Sequence, residues 1–504
     1  MNKRVVALKR LVPTVVLVLS MGMGVAWASG TLPGGGWYSV ESVQNVGTAD
    51  GGVSVVAYDQ ASTTSYSASS SVAMNAAVTI SPDQFAGMSA GFSGSAIVSS
   101  DQPAVAVATI ANVRSGSFGV TGGRARARYE ATLNPQKTLY FPLVKHNWYG
   151  RTTLFYIQNA EASTSVNATA VFAMDNGGVY TFTTPLIGPG QMVVVSPADA
   201  GVPSNGNNAN RNNIGGLTVS SSGNLAGNYI EYIIGESVAT AISSMRGIEP
   251  TDIDTTNYVP TIKRAYYGRF TGLSVLNADS VPITVTVDYV GTNKVCTGLT
   301  YRDTRPNILP GKSANIVHIS TQSTLPDNCL AAATVTAGGK QIVTLVNEQE
   351  STGFASAMIV YYAIGPNAAT AKVAAPAFTD QYADGSGSYN SGLQLQNVGQ
   401  TTATNVVVSF YCKRTGNPDY TAQTLPLSIN AGAAVQFYRP SDARPSTATM
   451  IYNDKFDPAH QFLSNSLCSI IATGDQKLGA NINDESIPSG ALDDANYVGF
   501  NLTP

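Results

Sequence analysis

Charge is scarce in this 504-residue chain. Only 12% of residues are Asp, Glu, Lys or Arg, with 28 basic against 31 acidic residues. No basic cluster stands out, which argues against nucleic-acid binding, because that rests on neutralising phosphates with Lys and Arg. Histidine is rarer still: His146, His318 and His460 lie far apart, and no G-x-S-x-G elbow presents a serine to any of them. H-E-x-x-H, Walker and G-x-G-x-x-G patterns are missing, and the four cysteines include no C-x-x-C pair. The sequence therefore offers no recognisable catalytic constellation, and the expectation is a non-enzyme without a cofactor. Long helical periodicity is also absent, as is any long apolar run beyond the first 28 residues.

Those first 28 residues read as a secretory signal. Lys3, Arg4, Lys9 and Arg10 form a positive start, residues 11–25 are apolar, and Ala26-Trp27-Ala28 is a small-x-small cleavage site before Ser29. No Cys follows to carry a lipid, and the C-terminus has no apolar tail. The expectation is a secreted protein, extracellular or on a bacterial cell surface, with no membrane span after cleavage.

What is present in abundance is Gly, Ser, Thr, Asn, Val and Tyr, in short Val/Thr/Tyr runs split by turn residues, the pattern of β-sandwiches. In residues 284–289 (TVTVDY) every second residue is apolar, so one sheet face is greasy and the other polar. One frame recurs. Residues 138–159 (TLYFPLVKHNWYGRTTLFYIQN) set a Pro-bearing strand, a turn and a second strand ending in Gln-Asn. Related frames occupy 257–277 and 373–397, and a shortened one opens at 37–45. The closing residues Asn45, Asn159, Asn277 and Asn397 fall at a period of roughly 115 residues, the size of one sandwich. An aromatic-ended strand follows each, reaching Tyr58, Phe172, Tyr289 and Tyr411, then a turn and a late hairpin.

The expected organisation is a signal peptide over 1–28 and four modules over 29–132, 133–250, 251–366 and 367–504. Short proline-containing linkers at 133–137, 249–256 and 365–372 favour an extended string. The recurrence, the closing Gln-Asn, the Pro-Gly turn and the late SSDQPAVAV hairpin resemble tandem immunoglobulin-like β-sandwich repeat proteins exported to bacterial cell surfaces. The resemblance implies adhesive, surface-layer or matrix work and brings no catalytic residues. The antibody-type Cys…Trp…Cys core is absent.

The cysteines fall two to a module, Cys296 with Cys329 and Cys412 with Cys468, as inter-strand neighbours that export would allow to oxidise. Glu249, Asp252 and Asp254 form an acidic linker cluster that could take Ca²⁺, though without EF-hand spacing. Adjacent aromatics offer contact surface: Trp37-Tyr38, Trp148-Tyr149 and Tyr266-Tyr267, with Tyr497 and Phe500 in the tail. In a strand, neighbours point to opposite faces, so one ring of each pair is expected outside the core, for module contacts or for stacking on glycans. Partners are then further copies of the chain, other surface or matrix components, or glycans. An unrecognised hydrolase is the remaining alternative. Finally, the first module has only Gly-rich residues 29–36 where the others begin with a Pro-bearing strand, while residues 495–504 look like a spare β-strand. Addition of a neighbour's tail to the first module would build a head-to-tail filament or layer.

Overall fold

Alternation along the chain sets the strands. In Ile283–Gly291, Ile283, Val285, Val287 and Tyr289 are buried while the residues between them are partly or fully exposed. Ala168–Met174 does the same. Burying each such side chain contributes roughly 1.5–3 kcal/mol, so a sheet with one apolar face must find a second to cover it. The structure, a computed structural model, describes residues 14–17 (backbone alone), 32–33, 37–112, 125–206, 209–235, 238–293, 295–318, 323–350, 358–384, 387–414, 416–438, 455–463, 465–487 and 495–502. These residues hold β-strands in several sheets and two single turns of 3₁₀ helix, with no α-helix. Among the described residues, no helix is long and apolar enough to cross a membrane. Most of the expected signal segment lies outside the described residues.

Strand pairing is confined to four consecutive stretches, 14–130, 136–248, 254–364 and 370–502. The third is the plainest. Thr256–Arg264, Cys329–Thr336, Ile283–Gly291 and Thr300–Ile308 lie side by side in one sheet. Ser313–Val317, Arg269–Asn277, Ile342–Glu350 and Met358–Tyr362 form the other. The first stretch has the same order in its two four-stranded sheets. In the second and fourth, strands of 22 residues, Ile214–Gly235 and Ser466–Ile487, run through both layers and join them.

The closing asparagines show what repeats at atomic level. Each is buried and makes the same three bonds. The Asn45 amide donates to Ala49 O and Val72 O while its Oδ1 accepts the Gly47 N–H. Asn159 does so with Thr164 O, Ile187 O and Glu161 N. Asn277 uses Val281 O, Ile308 O and Asp279 N, and Asn397 uses Thr401 O, Ile429 O and Gly399 N. The side chain closes an Asx turn and staples the loop to the opposite strand. Disulfides join Cys412 to Cys468 across two paired strands, and Cys296, in the turn after Ile283–Gly291, to Cys329 at the start of a strand.

The expected extended string is corrected: the four stretches close into a ring. Every large apolar cluster spans a joint. One joins the first stretch to Leu154, Tyr156, Ile230 and Ile242 of the second. Others join the second to Leu276 and Leu345 of the third, and the third to Val398 and Val498 of the fourth. The last places Val105 and Val107 of the first stretch in the core of the fourth. Short linkers cannot hold modules apart when apolar faces at both ends remain to be covered.

The tail is not spare either. Ala495–Val498 pairs with Asn481 to Asp484, and Phe500–Asn501 pairs with Val373 and Ala374, all within the fourth stretch. It is that stretch's own final strand, matching Arg126–Glu130, Val238–Arg246 and Met358–Tyr362 in the others. Tyr497 and Phe500 are accordingly buried, and among the described residues head-to-tail addition has no free tail to use.

Candidate functional site

The most specific chemistry lies at the joints and around the ring axis. The glutamine before three of the four closing asparagines reaches backwards into a neighbouring stretch. Gln158 Nε2 donates to Ala96 O at 3.4 Å, Gln396 Nε2 to Ala333 O at 3.3 Å, and Gln44 Nε2 to Ile470 O at 3.2 Å. The last bond ties the first stretch to the fourth with the geometry used between sequence neighbours. At the remaining joint Leu276 replaces the glutamine and packs into the apolar cluster instead.

Buried ion clusters mark one side of the ring. Glu231 receives Lys145 at 2.7 Å and Arg151 at 3.5 Å, and Arg151 also donates to Gln349 of the third stretch at 2.8 Å. Glu348 repeats the arrangement with Lys263 at 2.6 Å and Arg269 at 3.3 Å. At the first–fourth joint the acid is Asp484, and both cations come from the neighbour: Arg126 at 3.0 Å and Arg128 at 2.5 Å. Arg126 also lies 4.2 Å over the Tyr389 ring. Burial pulls the Lys145 ammonium and the Arg128 guanidinium down, with Glu231 and Asp484 respectively opposing.

The four final strands face one another around the axis, and equivalent positions bring Glu130, Arg246, Tyr362 and Val498 together. Arg246 grips Asp252 with two bonds of 2.7 and 2.9 Å and donates to the Tyr362 hydroxyl oxygen at 2.9 Å, with the tyrosine ring 4.5 Å away. Glu130 accepts the Val498 N–H. Burial raises the Glu130 and Glu249 carboxyls to about 7, against the pull of Arg246. Burial alone would lower Arg246, but Asp252, Tyr362 and Glu249 outweigh it and hold its proton firmly. A cavity of about 290 Å³ opens beside these groups, lined among others by Arg246, Glu249, Asp252 and Asn501.

The acidic linker cluster is thus divided among protein partners: Asp252 to Arg246, Glu249 near it at 3.7 Å, and Asp254 to the backbone N–H of Thr255 and Asn367. Among the described residues, no three Asp, Glu, His or Cys gather as a metal site. Of the aromatics, Trp37 is buried, its indole donating to Pro33 O at 3.2 Å, while Tyr38, Trp148, Tyr266 and Tyr267 are half-buried. Tyr149 alone of these is exposed, at 50%. Tyr149 and Tyr267 sit at equivalent tight turns with φ of 50° and 51°, in the left-handed region that suits the Gly beside each. Tyr266 and Tyr267 pack 4.6 Å apart and line a small cavity at the third–fourth joint with Arg269, Tyr438 and Glu485. The histidines stay separate: His146 bonds Val202 O, His318 bonds Thr271 and Tyr289, and His460 bonds Asp457.

The joint acids Glu231, Glu348 and Asp484 escaped the sequence reading. Their signal was a carboxylate in the late strand of three copies, with a Lys three residues after the proline in two of them. Neither a protein-family model nor a curated protein matches the chain. Among solved structures, a Thermotoga maritima protein numbered 1070 is 13% identical and aligns over 23% of this chain and 97% of its own, with a TM-score of 0.19. A tetra-tandem repeat from the extending region of a large adhesion protein is 8% identical and aligns over 92% and 95%, with a TM-score of 0.11. Likenesses at those scores carry no argument.

Proposed function

We propose that the chain is an exported structural or adhesive surface protein, non-enzymatic, built from four copies of an immunoglobulin-like sandwich closed on themselves. The observation that carries this reading is where the buried polar groups are spent. Lys145, Arg151, Lys263, Arg269, Arg126, Arg128 and Arg246 bind acids at or beside the joints, and the glutamines do the same with backbone carbonyls. Such groups hold a shape; a catalytic centre instead keeps an acid and a base facing a substrate-sized opening. Two disulfides and the signal-like start support work outside the cytoplasm. The partners of this reading are other surface or matrix components.

Surface proteolysis of intact cells tests it. The folded chain should be accessible from outside and resist digestion until reduced; a protein found only in the cytoplasm with free thiols would end the reading. A glycan-binding role is the second reading, favoured by exposed Tyr149, which packs 5.4 Å from Trp148 with Arg211 over that indole at 5.2 Å. Glycan arrays with the wild type and Tyr149→Ala separate the two.

A further inference from the structure

The first stretch is completed by residues that export would remove. Thr14–Leu17, within the signal segment, pairs antiparallel with Ala96 to Ser99. The other stretches fill the same place with their own chain: 138–141 opposite 217–220, Thr256 to Val259 opposite 333–336, and Lys372 to Ala375 opposite 470–473. Cleavage after Ala28 takes the strand away and leaves the backbone groups along Ala96 to Ser99 without a partner on that side. Unpaired edges of this kind recruit strands.

Two buried groups beside the position, the Tyr129 hydroxyl and Glu41 Oε2, already want for a partner. In the third and fourth stretches a tyrosine of the final strand donates its hydroxyl to the carbonyl just after the proline, Tyr361 to Thr261 O and Tyr497 to Ala377 O. The equivalent in the first stretch is Tyr129, buried, whose hydroxyl has no partner. Three residues after the proline, the backbone N–H donates to a hydroxyl: Lys145 to Thr153, Lys263 to Thr271, Thr379 to Ser391. The equivalent Ser39 donates to Glu41 at 3.2 Å. Glu41 stands where Phe155, Leu273 and Leu393 pack in the other stretches, and its Oε2 has no partner.

We propose that the mature first stretch is an acceptor for an extended strand from a different exported protein, added between Ala96–Ser99 and the Tyr129–Ser39–Glu41 groups. The occupant has a proline-bearing apolar strand, a free carbonyl after the proline for Tyr129, and a hydrogen-bonding group for Glu41. Among the described residues every strand of this chain is already seated in its own stretch, the tail included, so a second copy has none to lend. The proposal rests on the export reading above, because only cleavage empties the position.

The test uses the chain as exported. N-terminal sequencing comes first: a chain still beginning at Met1 overturns export processing, and the acceptor with it. With Ser29 at the start, a labelled peptide of residues 136–148 is titrated in. Saturable one-to-one binding, with slowed hydrogen exchange at Ala96 to Ser99 and none by a scrambled peptide, is expected. Tyr129→Phe should weaken that binding about 3- to 10-fold, the worth of one hydrogen bond, while leaving the melting temperature of the unbound protein unchanged. A processed chain that ignores the peptide, or whose Ala96 to Ser99 amides are protected without it, overturns the acceptor alone. So does concentration-dependent self-association that blocks the peptide, which would make a second copy the occupant.

Discussion

Four buried asparagines in equivalent places make the same bonds, and that repetition gives each a measurable worth. Asn277→Ala leaves two carbonyls and one N–H without partners in a part-buried turn. A loss of about 3 kcal/mol is expected, since each unmet buried group costs about 1–3 kcal/mol, and denaturant unfolding checks it. The paired tyrosines make a sharper contrast. Tyr497→Phe removes a hydroxyl that donates to Ala377 O at 2.6 Å and accepts the Ala377 N–H at 3.0 Å, so it should cost about 1–2 kcal/mol. Tyr129→Phe removes a hydroxyl that bonds nothing, and should cost close to zero by the same measurement.

Two buried titrating groups act on stability with opposite sign. Burial lowers His318 from 6.5 to about 4, with the Thr271 carbonyl and Asp303 opposing, and Arg264 and Arg305 adding to the shift; Tyr289 faces the ring's other nitrogen. The unfolded chain then binds the proton more readily, so stability is complete above pH 6.5 and falls as pH drops towards 4, by about 3 kcal/mol. Burial raises Glu41 from 4.5 to about 8, against its bond from Ser39, with Tyr129 beside it. There the folded form keeps the proton, so stability is lost as pH rises from 4.5 towards 8. Glu41→Gln should therefore raise the unfolding midpoint at pH 7, and His318→Asn should flatten the acid limb; midpoints measured across pH 4–8 read both.

At the scale of elements, the strands were legible because a half-buried sheet writes its alternation into the sequence. Residues 283–291 show it without help from any neighbour. The Asn-ended strands were legible as well, because one side chain has to satisfy a turn and an opposite strand at once and only Asn fits. The cysteines read as inter-strand pairs for the same local reason. Replacing Cys296 and Cys329 together with Ser frees a loop with a sequence separation of 33. It should lower stability by about 3–4 kcal/mol, the entropy that closing such a loop removes from the unfolded chain. With reductant present, which opens Cys412–Cys468 in both, the wild type and the double variant should unfold at the same midpoint.

The aromatic pairs were read less well. Trp148 packs on Tyr149 and Tyr266 on Tyr267, edge to face at 5.4 and 4.6 Å, because these pairs sit at turns where strand alternation does not act, and Tyr149 alone of the expected contact residues is plainly exposed. Exposure depends on what is packed against a strand, which its own residues do not state.

For the whole molecule the deciding contact is the one between the first and fourth stretches. Asp484, fully buried, holds Arg126 and Arg128 there. Asp484→Ala removes the carboxylate that both buried guanidinium groups bind, at a cost of about 3–5 kcal/mol. The expected result is an opened ring: a larger radius of gyration by small-angle scattering, with the other three joints still closed. An unchanged radius would mean the apolar contacts of Val105 and Val107 close the ring unaided.

The amino-acid sequence determined by itself the all-β character, the recurrence of one frame and its closing asparagines, because alternation and turn chemistry act over a few residues. It also marked the first stretch as short of a strand. Only the tertiary structure decided that the stretches meet in a ring, that the tail belongs to its own sheet, and that the acids Glu231, Glu348 and Asp484 cement joints. Those outcomes turn on covering apolar faces and pairing buried charges between residues hundreds of positions apart. No local pattern records which face will meet which.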